Sequence, residues 1–212
     1  MGVIRVKGTG QASAEADVVT LSFLVETKAR DYEDTIRKLN TRTEDLRTNL
    51  EAARIRRADL KTNSFNVNVE NKYLNNTYVF DGYSASHKLH IEIPAIKEIL
   101  NRVLWNISRG NSGAQIKLSF SVKDKNELRK RALKEAVKVA QGNAAALCEA
   151  AGMALGELVK IEHGWNDVRV YDREATIVCR SMDRNKNYAD IEPGEVTATD
   201  NVILEYITGE VR

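Results

Sequence analysis

Cysteine is nearly absent. Cys148 and Cys179 are the two in 212 residues, too sparse for a disulfide framework and without the close spacing of a metal or redox motif. Histidine is scarce as well: His87, His90 and His163 fall in different predicted elements, and no spacing joins them as ligands or as an acid–base set. An excess of charge of one sign is missing. The 32 basic and 30 acidic residues leave a formal net charge of +2, so no global field draws the chain to nucleic acid or to an anionic membrane. No apolar run approaches the roughly 20 residues of a membrane span, and no charged-then-apolar leader follows Met1. The sequence as it stands reads as cytoplasmic, or extracytoplasmic if a leader has been removed ahead of it.

The short boxes that carry chemistry are also lacking. There is no Gly-x-Ser-x-Gly elbow, His-Glu-x-x-His, Cys-x-x-Cys or Asp-x-Asp-x-Asp-Gly loop. Gly8-Thr9-Gly10 has no Gly-Lys-Ser/Thr ending and precedes a predicted strand, not a helix N-terminus, so it reads as part of a hairpin connection over Gly8–Ser13 and not as a phosphate cradle. No catalytic residue, metal ligand or cofactor is assigned.

What is present is ordinary globular composition, 42% hydrophobic and 29% charged, and length enough for one substantial domain or two packed lobes. The clearest element is a long Ala-rich helix from Asn126 to Ala151. Asp124 and Glu127 have capping-box spacing at its start, and Gly152 supplies a left-handed stop. Its predicted buried stripe is Leu128, Ala132, Ala136, Ala140, Asn143, Leu147 and Ala151, with Lys130, Lys134 and Lys138 elsewhere on the wheel. A second helix, about Asp31 to Ala53, carries Tyr32, Ile36, Leu39, Leu46 and Leu50 on one stripe. The basic cluster Arg54, Arg56, Arg57 and Lys61 closes it, which offsets the helix dipole. A third follows Pro94, with Ile96, Ile99, Leu100, Val103, Leu104 and Ile107 on its stripe. Trp105 lies off that stripe, either flanking the core or marking a contact with another subunit.

Strands are predicted at Val3–Lys7, Val19–Val25, Phe65–Val69, Tyr78–Ile93, Ile116–Val122, Leu158–Trp165 and Val196–Ile207, from period-two alternation. Phe65–Val69 and Tyr78–Ile93 form a hairpin through the Asn-rich turn Lys72–Thr77. On its return strand Tyr83, Ala85, His87, Leu89, Ile91 and Ile93 share a face, which makes His87 a hydrogen-bonded core histidine. Asp167 to Pro193 is rich in charge and Asn and exceeds an ordinary connection. It is a functional loop, a mobile arm or a solvated disordered loop, or it hides a short strand such as Thr176-Ile177-Val178.

Four blocks appear in order along nearly the whole chain: Val6-Lys7-Gly8-Thr9-Gly10, Phe80-Asp81-Gly82-Tyr83-Ser84-Ala85-Ser86-His87, the helix segment from Phe120 to Gly156, and Ile191-Glu192-Pro193-Gly194-Glu195-Val196. Together they resemble the SIMPL-domain family, which includes bacterial periplasmic proteins of the YggE type. The resemblance implies an α+β fold, large ring-like or channel-like homo-oligomers and no settled biochemical activity. The chain departs from the bacterial relatives in having Glu15-Ala16-Asp17 where a Pro-Asp is common in the first hairpin.

The expected fold is α+β: a largely antiparallel sheet of about seven or eight strands with three helices, in two related lobes sharing the sheet, as a single SIMPL-like domain over 1–212 with 167–193 as a long loop or arm. The expected function is non-enzymatic: a homo-oligomerising scaffold or stress-associated interaction module whose partner is itself, with no nucleic acid and no membrane span. Trp105, Tyr171, Arg173, Arg180, Met182, Arg184 and Tyr188 form the candidate interaction surface, because Trp, Tyr, Arg and Met are favoured at such contacts. The alternative is a small-molecule hydrolase with a pocket near the middle hairpin and the late loop, which would need His87 or His163 to converge with carboxylates in a closed cleft.

Overall fold

Period-two alternation and amphipathic runs give nine strands and three helices among the residues that the computed structural model describes, 2–74, 76–164, 169–171, 173–178, 192 and 194–210. In chain order they are β1 (Gly2–Glu15), β2 (Val18–Ala29), α1 (Tyr32–Ala52), β3 (Lys61–Leu74), β4 (Thr77–Pro94), α2 (Lys97–Ser108), β5 (Gln115–Ser121), α3 (Lys125–Ala150), β6 (Met153–Glu162), β7 (Arg169–Tyr171), β8 (Arg173–Val178) and β9 (Glu195–Glu210). A 3-10 turn at Arg57–Asp59 separates α1 from β3. Every strand pair is antiparallel, so the expected α+β class holds. The strands divide between two sheets instead of sharing one, and each sheet belongs to its own compact unit.

The first unit takes Met1–Glu15, Val122–Asp172 and Glu195–Arg212. Its sheet runs β1-β9-β6, with β7 pairing the same β9 further along. Helix α3 lies on β1 and β9 and buries Leu128, Ala132, Ala136, Ala140, Ala144 and Cys148, a strict four-residue ladder. Four helical residues rise about 6 Å and two strand residues about 6.6 Å, so each fourth residue of α3 can meet each second residue of β1. Gly8 and Gly10 show that match directly. A Cβ on Gly10 would stand 2.1 Å from the Ala132 carbonyl oxygen, and one on Gly8 would stand 2.0 Å from that of Ala136. These glycines are therefore inside β1, where the helix backbone touches the strand, and the hairpin connection expected at Gly8–Ser13 is corrected. The break between the first two strands falls instead at Ala16-Asp17. The close approach is also why the helix is rich in alanine.

Asp124 caps α3 as expected, its side chain accepting from the Glu127 N–H at 2.9 Å, and Gly152 ends it at φ +64°. The second half of the stripe is corrected. Ala144 and Cys148 are buried where Asn143, Leu147 and Ala151 were expected, because the ladder follows the twisted strand and keeps to fours. Asn143 instead donates its side-chain N–H to the Lys7 carbonyl of β1 at 3.1 Å. The strand predicted from Leu158 starts earlier, at Met153, directly after the helix stop.

The second unit takes Ala16–Ser121 and Arg173–Gly194. Its sheet runs β3-β4-β2-β5-β8, and the fully buried Val19, Leu21, Phe23 and Val25 of β2 form its centre. Helix α1 buries Leu39, Leu46 and Leu50, and α2 buries Leu100, Val103, Leu104 and Ile107. The basic cluster after α1 is held by carboxylates. Arg56 makes a two-pronged contact with Asp59 at 2.8 and 2.9 Å, and Arg57 meets Glu44 at 2.6 Å. Of the readings open for 167–193, strands appear at Arg169–Tyr171 and Arg173–Val178, the second pairing β5 from Phe120↔Arg173 to Gln115↔Val178.

Candidate functional site

A catalytic reading depends on the histidines. His87 projects from β4 into the core of the second unit, 9% exposed. Its Nε2 lies 3.0 Å from the Thr62 hydroxyl and its Nδ1 3.4 Å from that of Thr43, while the Phe65 ring packs edge-on at 5.5 Å. Burial pushes the imidazole below its ordinary value of 6.5, and the Arg47 charge pushes the same way. It is a neutral core histidine between two hydroxyls, as its place on the apolar face predicts. His90 pairs with Asn63 on the opposite face of the sheet.

His163 is different. It follows β6, and its Nε2 lies 2.9 and 3.1 Å from the two carboxylate oxygens of Asp200. Asp200 is buried on the helix-facing side of β9, and one of its oxygens also accepts from the Asn201 N–H at 2.7 Å. Sequence reasoning missed this pair because the partners are far apart in the chain. The alternation of β9 carried the signal: Val196, Ala198, Asp200, Val202 and Leu204 share one face, which puts a carboxylate in an apolar row.

Two depressions among the described residues of the second unit are lined by no histidine. One of about 410 Å³ is lined by Glu26, Lys28, Arg42, Asn68, Glu70 and Ser84 among others, and one of about 340 Å³ by Ser22, Leu24, Asn63, Lys88, Gln115 and Lys117 among others. Both are open; polar and apolar groups share the first evenly, and Phe23, Leu89 and Ile116 make the second mainly apolar. Beside the first, Lys28 contacts Asp81 at 2.8 Å and Lys72 contacts Asp81 at 3.0 Å. The hydrogen bond from Lys28, then that from Lys72, holds the Asp81 carboxyl below its ordinary value.

The predicted interaction surface is reached only in part. Trp105 is 44% exposed on α2, with the Arg109 guanidinium 5.7 Å from its ring centroid. Tyr171 ends β7 and Arg173 begins β8, so their backbones stand in different sheets. Arg180, Met182, Arg184 and Tyr188 lie outside the described residues.

Two other surfaces are more apolar. At the tip of the β3–β4 hairpin, Tyr73, Leu74, Tyr78, Val79 and Phe80 are all exposed, Tyr78 at 76%. Tyr73 packs on Tyr78 at 5.0 Å, and Tyr83 is flanked by Phe80 at 5.4 Å and Tyr32 at 5.7 Å. Tyr32 is the first residue of α1. The aromatic row thus continues past the end of the helix layer. The reason is length: β4 has 18 residues, about 60 Å at strand rise, whereas α1 has 21, about 31 Å at helix rise. In the first unit β6 is the sheet edge, and from Met153 to Ile161 all its residues are exposed. Met153, Leu155, Leu158 and Ile161 pair with Glu210, Thr208, Tyr206 and Leu204 of β9. Leu147 of α3 is exposed too.

Among the described residues no helix is long and apolar enough to cross a membrane. Residues 4–206 match the family model described as SIMPL, protein of unknown function (DUF541). No curated protein matches the chain.

Proposed function

The chain belongs to the SIMPL family, whose function is not established, and from that premise we propose that it acts without catalysis as a homo-oligomerising scaffold or interaction module. One observation carries the reading: among the described residues, most large exposed apolar side chains are gathered on the β3–β4 hairpin and on β6. Contiguous apolar surface of this kind marks contact sites more often than solvent faces. Ring-like or channel-like assemblies, which the family resemblance implies, require at least two separate contacts per copy, and two exposed apolar surfaces supply them. Trp105 with Arg109 is a further contact of suitable chemistry. The test is light scattering coupled to size exclusion. A mass at a multiple of the 23.8 kDa chain is expected, and a monomer at high micromolar concentration overturns the reading.

One observation favours the second reading, a small-molecule hydrolase: the His163–Asp200 pair has the geometry of a base and its orienting carboxylate. Turnover of simple esters or phosphate esters that His163→Asn abolishes without lowering the melting temperature would establish it. Equal turnover in both proteins removes it.

A further inference from the structure

Natural sheets guard their open edges with charges, prolines or bulges, and an unguarded edge is a template for another strand. In the first unit the edges are guarded: β1 carries Arg5 and Lys7, and β6 carries Glu157, Lys160 and Glu162 together with two register shifts. The edge strand β3 of the second unit differs. From Thr62 to Val69 it has no charged residue and no proline. Its irregularities lie at the two ends, between Thr62 and Ser64 and between Glu70 and Asn71, so Ser64 to Glu70 is regular strand. Along it Phe65, Val67 and Val69 oppose His87, Ala85 and Tyr83 on the helix-facing side, and Asn66 and Asn68 point to the other side. Phe65 and Val69 are nonetheless about half exposed, at 47% and 57%.

We propose that β3 pairs antiparallel with β3 of a second copy about a two-fold axis through Val67, joining two second-unit sheets into one. The proposal rests on the self-association reading and names its contact. The occupant follows from the sequence of the edge, which is complementary to itself. A two-fold at Val67 is the one centre that pairs the whole regular span. It sets Phe65 against Val69 of the partner copy, Asn66 against Asn68, Val67 against Val67 and Ser64 against Glu70. Aromatic with β-branched, amide with amide and hydroxyl with carboxylate are all favourable cross-strand pairs, and no like charges meet. Isologous contacts of this type are the commonest route to homo-oligomers. A single short strand pair is at the small end of specific interfaces, so this contact should loosen on dilution.

Cysteine cross-linking of the full chain reads the register. All variants carry Cys179→Ser, and Cys148 is buried. In the proposed pairing Val67→Cys meets itself and should oxidise to a covalent dimer. Asn66→Cys alone should stay monomeric on a non-reducing gel, because its own copy stands diagonally across, roughly 8 Å away and too far for a disulfide. Mixed with Asn68→Cys it should give the heterodimer. Val67→Lys should also shift the light-scattering mass downward. If none of these pairs cross-links while the wild type remains an oligomer of unchanged mass in Val67→Lys, the β3 contact is wrong and self-association stands on another surface. If the wild type is monomeric and nothing cross-links, both fail. Cross-linking of Asn66→Cys to itself as efficiently as to Asn68→Cys overturns the register.

Discussion

Individual residues decide most where two backbones meet. Gly10 has no space for a methyl group, since the atoms a Cβ would strike belong to the backbone of α3 and cannot swing aside. Gly142, in the same helix, has nothing within 4 Å of the position a Cβ would take. The same substitution should therefore have opposite signs at the two sites. Gly10→Ala should destabilise by about 3 kcal/mol or more through overpacking, and Gly142→Ala should stabilise by about 0.5–1 kcal/mol by lowering the entropy of the unfolded chain. Denaturant midpoints measure both, and equal shifts would mean that α3 does not rest on β1 at Gly10. His87 makes a different prediction. Its folded value lies below the ordinary 6.5, so the unfolded chain binds the proton more readily. Its contribution is complete above about pH 6.5 and is lost as the pH falls from there toward the depressed folded value. His87→Gln should cost about 1–3 kcal/mol at neutral pH by stranding the Thr43 and Thr62 hydroxyls. It should also flatten the decline in stability as the pH falls below about 6.5. Parallel curves for the two proteins would sink the buried neutral imidazole. The core role of His87 was legible because alternation fixes which face a strand residue occupies. The role of Gly10 was not, because sequence says that a glycine is present and not which backbone comes near it.

At the scale of elements, α3 shows where periodicity suffices and where it stops. The first three turns of its buried stripe follow from spacing alone. Past Ala140 several faces are equally small and apolar, since Ala144, Ala145, Ala146 and Leu147 are consecutive, and only the twist of β1 and β9 selects Ala144 and Cys148. Ala136 lies at the centre of the ladder, between Gly8 and Gly10. Ala136→Leu should lower stability by about 1–3 kcal/mol, or more if the backbone cannot yield, while Lys134→Leu on the exposed side should change it far less. Equal melting temperatures would place the wrong face inside. The interaction surface follows the same logic. Polar and aromatic composition pointed to 171–188, whereas the exposed apolar residues among the described ones gather on β6 and the hairpin. The hairpin was foreseeable from lengths, because a strand of 18 residues outruns a helix of 21 whatever their sequences.

For the whole molecule, the division into two sheets was hidden for a topological reason. β1 finds its partner in β9 at the other end of the chain, from Gly2↔Thr208 to Glu15↔Glu195, and local alternation carries no information about so distant a pairing. The pairing gathers both ends of the described chain into one unit and leaves β6 and β3 as edges of separate sheets, and that geometry makes an assembly prediction. If the exposed apolar side chains of β6 and the edge of β3 both drive association, the two contacts should be separable. Ile161→Lys places a charge on β6 at a side chain already 61% exposed, so the fold should tolerate it. This variant should reduce the assembly to a dimer held by the other edge. Adding Val67→Lys should release the 23.8 kDa chain. Salt discriminates the driving force: burial of apolar surface is unscreened, so raising the ionic strength from about 0.1 M to about 1 M should leave the wild-type mass unchanged, whereas a charge-driven assembly would come apart as its screening length shrinks from about 10 Å to about 3 Å. A wild-type mass that falls with salt, or an Ile161→Lys variant with the full wild-type mass, would show that β6 is not a contact.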